Sequence, residues 1–163
     1  MLKKYTTLAM LVASAAALQI IESPLPRFLP WLKPGLANAL SLYALVKLSA
    51  AGGVIVAIFR TFLASLLLGT LFSPVFIMSF VGALSSALLM GLLYKAFSKV
   101  TNEILSISGA LINNLSQLAV IQIMFAENIN FMFHIAIMIW VSIPSGYIVA
   151  KIVNELLRRT ADA

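Results

Sequence analysis

The sequence predicts an all-α, polytopic membrane protein with six transmembrane helices, and three observations carry that expectation. First, 62% of the 163 residues are hydrophobic and only 10% are charged, whereas a soluble domain carries about 25% charged residues to cover its surface. Second, the apolar text breaks into six runs, at about 3–22, 35–50, 54–70, 75–97, 104–126 and 131–157. Most of them approach the roughly 20 residues a membrane helix needs. Third, the basic residues segregate. With the N-terminus on the cytoplasmic side, that side receives Lys3, Lys4, Lys47, Lys95, Lys99, Lys151, Arg158 and Arg159, and the opposite side only Arg27 and Lys33. Positive charge collects on cytoplasmic loops, so both termini are expected inside, in a cell membrane. The net charge of +6 then reads as membrane topology rather than as a nucleic-acid surface. Six spans use almost the whole chain as a single transmembrane domain, 1–163.

The first run opens on Lys3 and Lys4 and stays apolar to Ile21. Its length favours a retained span over a cleaved signal peptide. Ala9, Ala13 and Ala17 recur every four residues, which places them on one helix face where a second helix can approach closely. That approach serves either internal packing or a partner. Residues 23–34 follow as an external loop with four prolines. Proline fixes φ and removes a donor, so this segment is a stiff loop ending at Gly35. Glu22 stands at its start, placed to pair with Arg27, Arg60 or a ligand cation.

The second span is expected over 35–50, with Asn38 just inside it, and Ala51-Gly52-Gly53 is expected to be the break before the third. Arg60 lies near the centre of that third span. A charge there costs several kcal/mol and is tolerated only against protein or water. A guanidinium forks onto carboxylate or phosphate, so Arg60 is a candidate ligand-binding residue, the alternative being a structural role. Ala57 and Ala64, at helical spacing from it, are expected to leave a cleft. Gly69 to Pro74 is a turn. The fourth span carries Ser79, Gly82, Ser86 and Gly91. Lys95 to Glu103 connects to the fifth, where Ser106, Gly109, Ala110, Asn113 and Gln117 fall mostly on one face, with Asn114 adjacent. Amides inside a membrane need partners, which are either a solute or other helices. The sixth span contains Pro144 and Gly146, a place for a kink. Trp31 and Trp140 suit interfacial anchoring.

Enzyme chemistry finds little to work with. There is no cysteine, one histidine (His134), and one aspartate, Asp162 in the C-terminal tail. No acidic cluster is present to hold magnesium and a diphosphate, and no glycine–lysine phosphate loop occurs. The expectation is a protein that is not an enzyme and has neither cofactor nor metal site.

The combination of Glu22, Pro24 and Pro26 with Lys33-Pro34-Gly35-Leu36-Ala37-Asn38, Arg60, Ser79-Phe80-Val81-Gly82-Ala83-Leu84, and Ser106-Ile107-Ser108-Gly109-Ala110 with Asn113, Asn114 and Gln117 resembles the Gx transporter family. That family also carries the name heptaprenyl diphosphate synthase component I, and it is similar to the substrate-binding S components of energy-coupling factor (ECF) importers. The resemblance spans nearly the whole chain. It implies a six-helix subunit that captures a small solute from outside and works with a transmembrane coupling subunit and two cytoplasmic ATPase subunits in the lipid bilayer. It implies that Arg60, Asn38, Asn113, Gln117, Asn114 and Ser79 bind substrate, and that the loop with Pro26, Arg27, Trp31 and Lys33 is a lid. Ala9, Ala13 and Ala17 would then dock on the coupling subunit. The basic residues point to a partly anionic solute, vitamin-like or an isoprenoid or quinone precursor. The alternative is a non-catalytic membrane accessory of polyprenyl diphosphate synthesis, and a third possibility is a structural membrane subunit without a small ligand.

Overall fold

The computed structural model describes residues 2–23, 35–125 and 131–161, and among these every regular element is helical. There are six helices: α1 (Leu2–Glu22), α2 (Leu36–Lys47), α3 (Ala50–Leu67), α4 (Pro74–Ala96), α5 (Asn102–Phe125) and α6 (Phe131–Ala161). Five of them are long and apolar enough to cross a membrane, so the chain is a multi-pass membrane protein. The outward faces fit that setting: Trp140, Ile123 and Phe72 are among the most exposed large side chains, and lipid rather than water is their natural neighbour.

The exception is α2. Its 12 residues make a rod about 18 Å long at 1.5 Å per residue, well short of a hydrocarbon layer about 30 Å thick. This helix is the hub of the bundle, the one element in contact with all five others. Leu42, Leu45 and Ala39 pack with Met90 of α4, Leu105 of α5, and Val149 and Val153 of α6. Its other flank brings Ala44 against Ala15 of α1 and Val56 of α3. Among the described residues α1 touches only α2 and α3, and the remaining helices follow in order, α3 on α4, α4 on α5 and α5 on α6.

The break between α2 and α3 falls at Leu48–Ser49, not at Ala51-Gly52-Gly53 as the glycines suggested. Ser49 caps α3, its hydroxyl accepting the Gly52 N–H at 3.1 Å. This side-chain bond satisfies one of the orphan donors of the first turn. The glycines serve packing instead. A Cβ on Gly53 would lie 2.8 Å from the Leu45 Cβ and 2.9 Å from the Ser41 carbonyl oxygen. Their missing side chains let α3 lie directly on α2.

The α3–α4 turn falls where it was expected. The turn after α3 uses Gly69 and Phe72 at positive φ. Ser73 then caps α4, with Pro74 in its first turn, where the missing proline N–H is no loss. α6 runs through Pro144 and meets α5 at Gly146, where a Cβ would lie 2.6 Å from the Ile107 Cα. Lipid-embedded helices gain little hydrophobic driving force from each other, so such close backbone approach supplies much of their attraction.

One end of the bundle is tied by polar contacts to α6. The Tyr43 hydroxyl donates to Thr160 Oγ1 at 3.1 Å and Lys47 Nζ to the Thr160 carbonyl at 3.3 Å. Asn102 Nδ2 donates to Asn154 Oδ1 at 2.6 Å, and Asn154 Nδ2 to Glu103 Oε1 at 2.9 Å. The opposite end, where α1 finishes and α2 begins, carries the cavity described below.

Gly146→Ala is expected to lower the thermal unfolding midpoint of the detergent-purified protein, at a cost of about 1–3 kcal/mol for overpacking. Gly91→Ala, whose Cβ would find only an ordinary 3.5 Å contact with Ala50, should leave that midpoint nearly unchanged. Equal shifts in the two variants would remove close α5–α6 approach as the cause.

Candidate functional site: a polar cavity at Arg60

Arg60 lies on the buried stripe of α3 with Val56, Ala57, Thr61 and Ala64, and is 5% exposed. Its guanidinium reaches two helices. Nη1 donates to Gln19 Oε1 of α1 at 3.0 Å, and Nη2 to Asn38 Oδ1 of α2 at 2.5 Å. Among the described residues Nε is buried without a hydrogen-bond partner. Ala57 does not open a cleft; it packs with Ala83 and Ala87 of α4. Small residues beside the guanidinium bring α4 close instead of leaving space.

Glu22, at the last turn of α1, is buried as well. Its Oε1 accepts the Leu36 N–H at 2.5 Å. Gly35, the residue before α2, sits at φ 77° and provides no side-chain cap. The carboxylate of one helix therefore caps the next, and a negative group at a helix N-terminus is favoured by the dipole as well as by the free N–H groups. The bond also ties the end of α1 to the start of α2, on either side of segment 24–34. Asn38, in the first turn of α2, turns its side chain to Arg60 and the cavity.

Gln19, Glu22, Gly35, Ala37, Asn38, Arg60, Ser79, Asn113 and Gln117 enclose one cavity of about 30 Å³. Five of the six substrate-binding candidates thus meet in one place: Arg60, Asn38, Ser79, Asn113 and Gln117. Asn113 and Gln117, four residues apart, share a face of α5. Asn114 is the correction. One residue on, it is turned about 100° around the helix, and its Nδ2 donates to Ser142 Oγ of α6 at 3.0 Å, both side chains buried. It joins helices rather than lining the cavity. Ser106, Gly109 and Ala110, further along the Asn113 face, line a smaller void of about 10 Å³ with Ser86 and Ser145, and Gly35 and Asn38 border both spaces.

Two contributors escaped the sequence. Gln19 was hidden in the apolar first run, and its signal was its position three residues before Glu22 on the same helix face. Gly82 acts by what it lacks: a Cβ there would lie 2.8 Å from Asn113 Oδ1 and 2.9 Å from Gln117 Cγ. The lid residues Pro26, Arg27, Trp31 and Lys33 lie outside the described residues. Ala9, Ala13 and Ala17 are all exposed, while Ala15 and Ala16 on the other side of α1 are buried. Among the described residues the alanine stripe is therefore not part of the packing between helices. Among the described residues no group of three or more His, Cys, Asp and Glu side chains comes together.

The family model described as heptaprenyl diphosphate synthase component I matches residues 11–156. The chain belongs to that family. All of the cavity-lining residues fall inside the matched span. No curated protein and no solved structure matches the chain.

The Asn114–Ser142 bond gives a test of the division between glue and cavity. In a double-mutant cycle of Asn114→Ala and Ser142→Ala, unfolding should show a coupling near the value of about 0.6 kcal/mol typical of interhelical hydrogen bonds in membranes. Coupling indistinguishable from zero would free Asn114 for another role.

Proposed function

We propose that this protein is the solute-capturing membrane subunit of an ECF-type importer. The observation that carries the reading is the cavity around Arg60. It gathers a guanidinium, a carboxylate, four carboxamides and a hydroxyl from α1 to α5. Polar groups in a membrane protein cost free energy unless they are used, and several of these exceed what helix–helix adhesion requires. In this reading the chain crosses the bilayer of the cell membrane six times, the second crossing being made by the short α2 together with the residues that flank it, shielded from lipid by the neighbouring helices. Both termini face the cytoplasm and segment 24–34 covers the cavity from outside. Glu22 and Gly35 at its two ends border the cavity, which suits a lid. The exposed stripe of Ala9, Ala13 and Ala17 is where the transmembrane coupling subunit docks, and two cytoplasmic ATPase subunits drive release by tilting the bundle. The chain itself performs no catalysis and takes no cofactor.

A second reading follows from the family name: a membrane accessory that holds a prenyl diphosphate or its synthase. It is supported by the printed description of the family and shares the expectation of no catalytic role. It makes no use of the carboxamides.

Co-expression with coupling and ATPase subunits separates the two. A stable complex is expected with the wild type and its loss with Ala13→Leu, whose bulk fills the docking stripe. No complex with the wild type would sink the importer reading, and a complex unaffected by Ala13→Leu would move the docking surface elsewhere. In native mass spectrometry Arg60→Ala should lose at least tenfold in retained small molecule. Unchanged retention would leave Arg60 a purely structural tie.

A further inference from the structure

We infer that the solute is neutral overall and is read through an amide- or imide-type edge, not through a carboxylate or phosphate. The inference rests on the solute-capture reading and replaces its anionic solute with a different class.

Charge is the first ground. Among the described residues around the cavity there is one cation, Arg60, and one anion, Glu22, so the guanidinium already has a counter-charge beside it. An anionic solute would gain the guanidinium and meet the carboxylate in the same small space, where like charges are poorly screened. Arg60 has also committed both terminal nitrogens to Gln19 and Asn38. It holds the site together rather than waiting with an open fork for a carboxylate.

The second ground is donor and acceptor arithmetic. A guanidinium only donates, so Gln19 and Asn38 must turn their oxygens toward it, and their NH₂ groups are left for something else. Neither NH₂ has a partner among the described residues. Asn113 spends Nδ2 on Asn114 Oδ1 at 3.5 Å, which leaves Oδ1 as a free acceptor among these residues. The Gln117 carboxamide, 2% exposed and lining the cavity, makes no hydrogen bond among the described residues. What the cavity presents is therefore NH₂ donors beside carbonyl acceptors, the complement of a lactam, ureide or imide edge. Gly82 leaves the room in which Asn113 and Gln117 sit.

The test uses two matched pairs of probes, uracil with orotate and nicotinamide with nicotinate, each added at the same millimolar concentration to the detergent-purified full chain. Within each pair the second member adds a carboxylate or replaces the amide with one. The neutral members should raise the unfolding midpoint by about 2 °C or more, as a ligand near or above its Kd does, and the acids should not. The shift should vanish in Gln117→Leu and persist in Asn114→Ala. Acids that stabilise as well as or better than their neutral partners would overturn the inference and restore an anionic solute, leaving solute capture intact. Stabilisation that survives Gln117→Leu, or no shift with any of the four probes, would overturn the amide edge. Solute capture itself would still be decided by the complex with the ATPase subunits.

Discussion

A guanidinium buried in a membrane helix cannot stand alone. Its cost in hydrocarbon is several kcal/mol, and the fold spends groups from two other helices to meet it. Gln19 comes from the end of α1 and Asn38 from the start of α2. Those bonds fix the heights of three helices relative to one another at one end of the bundle. The same constraint accounts for the odd position of α2, which starts beside Glu22 with its first N–H on that carboxylate. Its start is thus set by a partner on α1 and not by a cap of its own. With α2 held there, its short length places Ala39, Leu42 and Leu45 in the middle of the bundle, where they meet α4, α5 and α6.

Close approach is the second constraint. In lipid, helices associate through van der Waals packing and interhelical hydrogen bonds, and both need short distances between axes. Gly53 lets α3 onto α2, Gly146 lets α6 onto α5, and Gly82 lets α4 onto the Asn113–Gln117 face of α5. The last of these does two things at once. It packs a helix pair, and it sets where two carboxamides lie in a cavity otherwise lined by α1, α2, α3 and Ser79 of α4. A methyl at Gly82 would have to displace a group of the site.

The sequence exposed the parts of this site that violate membrane composition. An arginine mid-span, an asparagine after the loop and amides on the fifth run stand out against apolar neighbours, so Arg60, Asn38, Asn113 and Gln117 were legible. Gln19 was harder, because a single amide near a helix end reads as an ordinary boundary residue. Spacing put Asn113 and Gln117 on one face with Asn114 beside it, but the role of Asn114 was out of reach, because only the placement of Ser142 on α6 gives it a partner. The α2–α3 break was misread for a related reason. A glycine pair signals either a turn or a close contact, and Leu45 and Ser41, which settle it, belong to another helix. The extents of α1, α4 and α5 were legible because length and hydropathy fix them almost alone.

The name of the family and the chemistry of the cavity pull toward different functions, and the weight falls on where the polar groups are. Holding a prenyl diphosphate calls for clustered cations, or for carboxylates with magnesium. The basic residues outside the spans are scattered along the sequence, and among the described residues Arg60 is the one cation that lines the cavity. Docking a synthase would call for a surface, and α1 does present one along Ala9, Ala13 and Ala17. That surface serves either partner equally well and so does not discriminate. The carboxamides favour the proposed capture reading. Gln117 lines the cavity and makes no hydrogen bond among the described residues, and in that reading such bonds are met when the solute arrives. That difference in unmet bonds makes occupancy a driving force for closing the cavity, and it ties the capture reading to the same small set of residues that hold the bundle together.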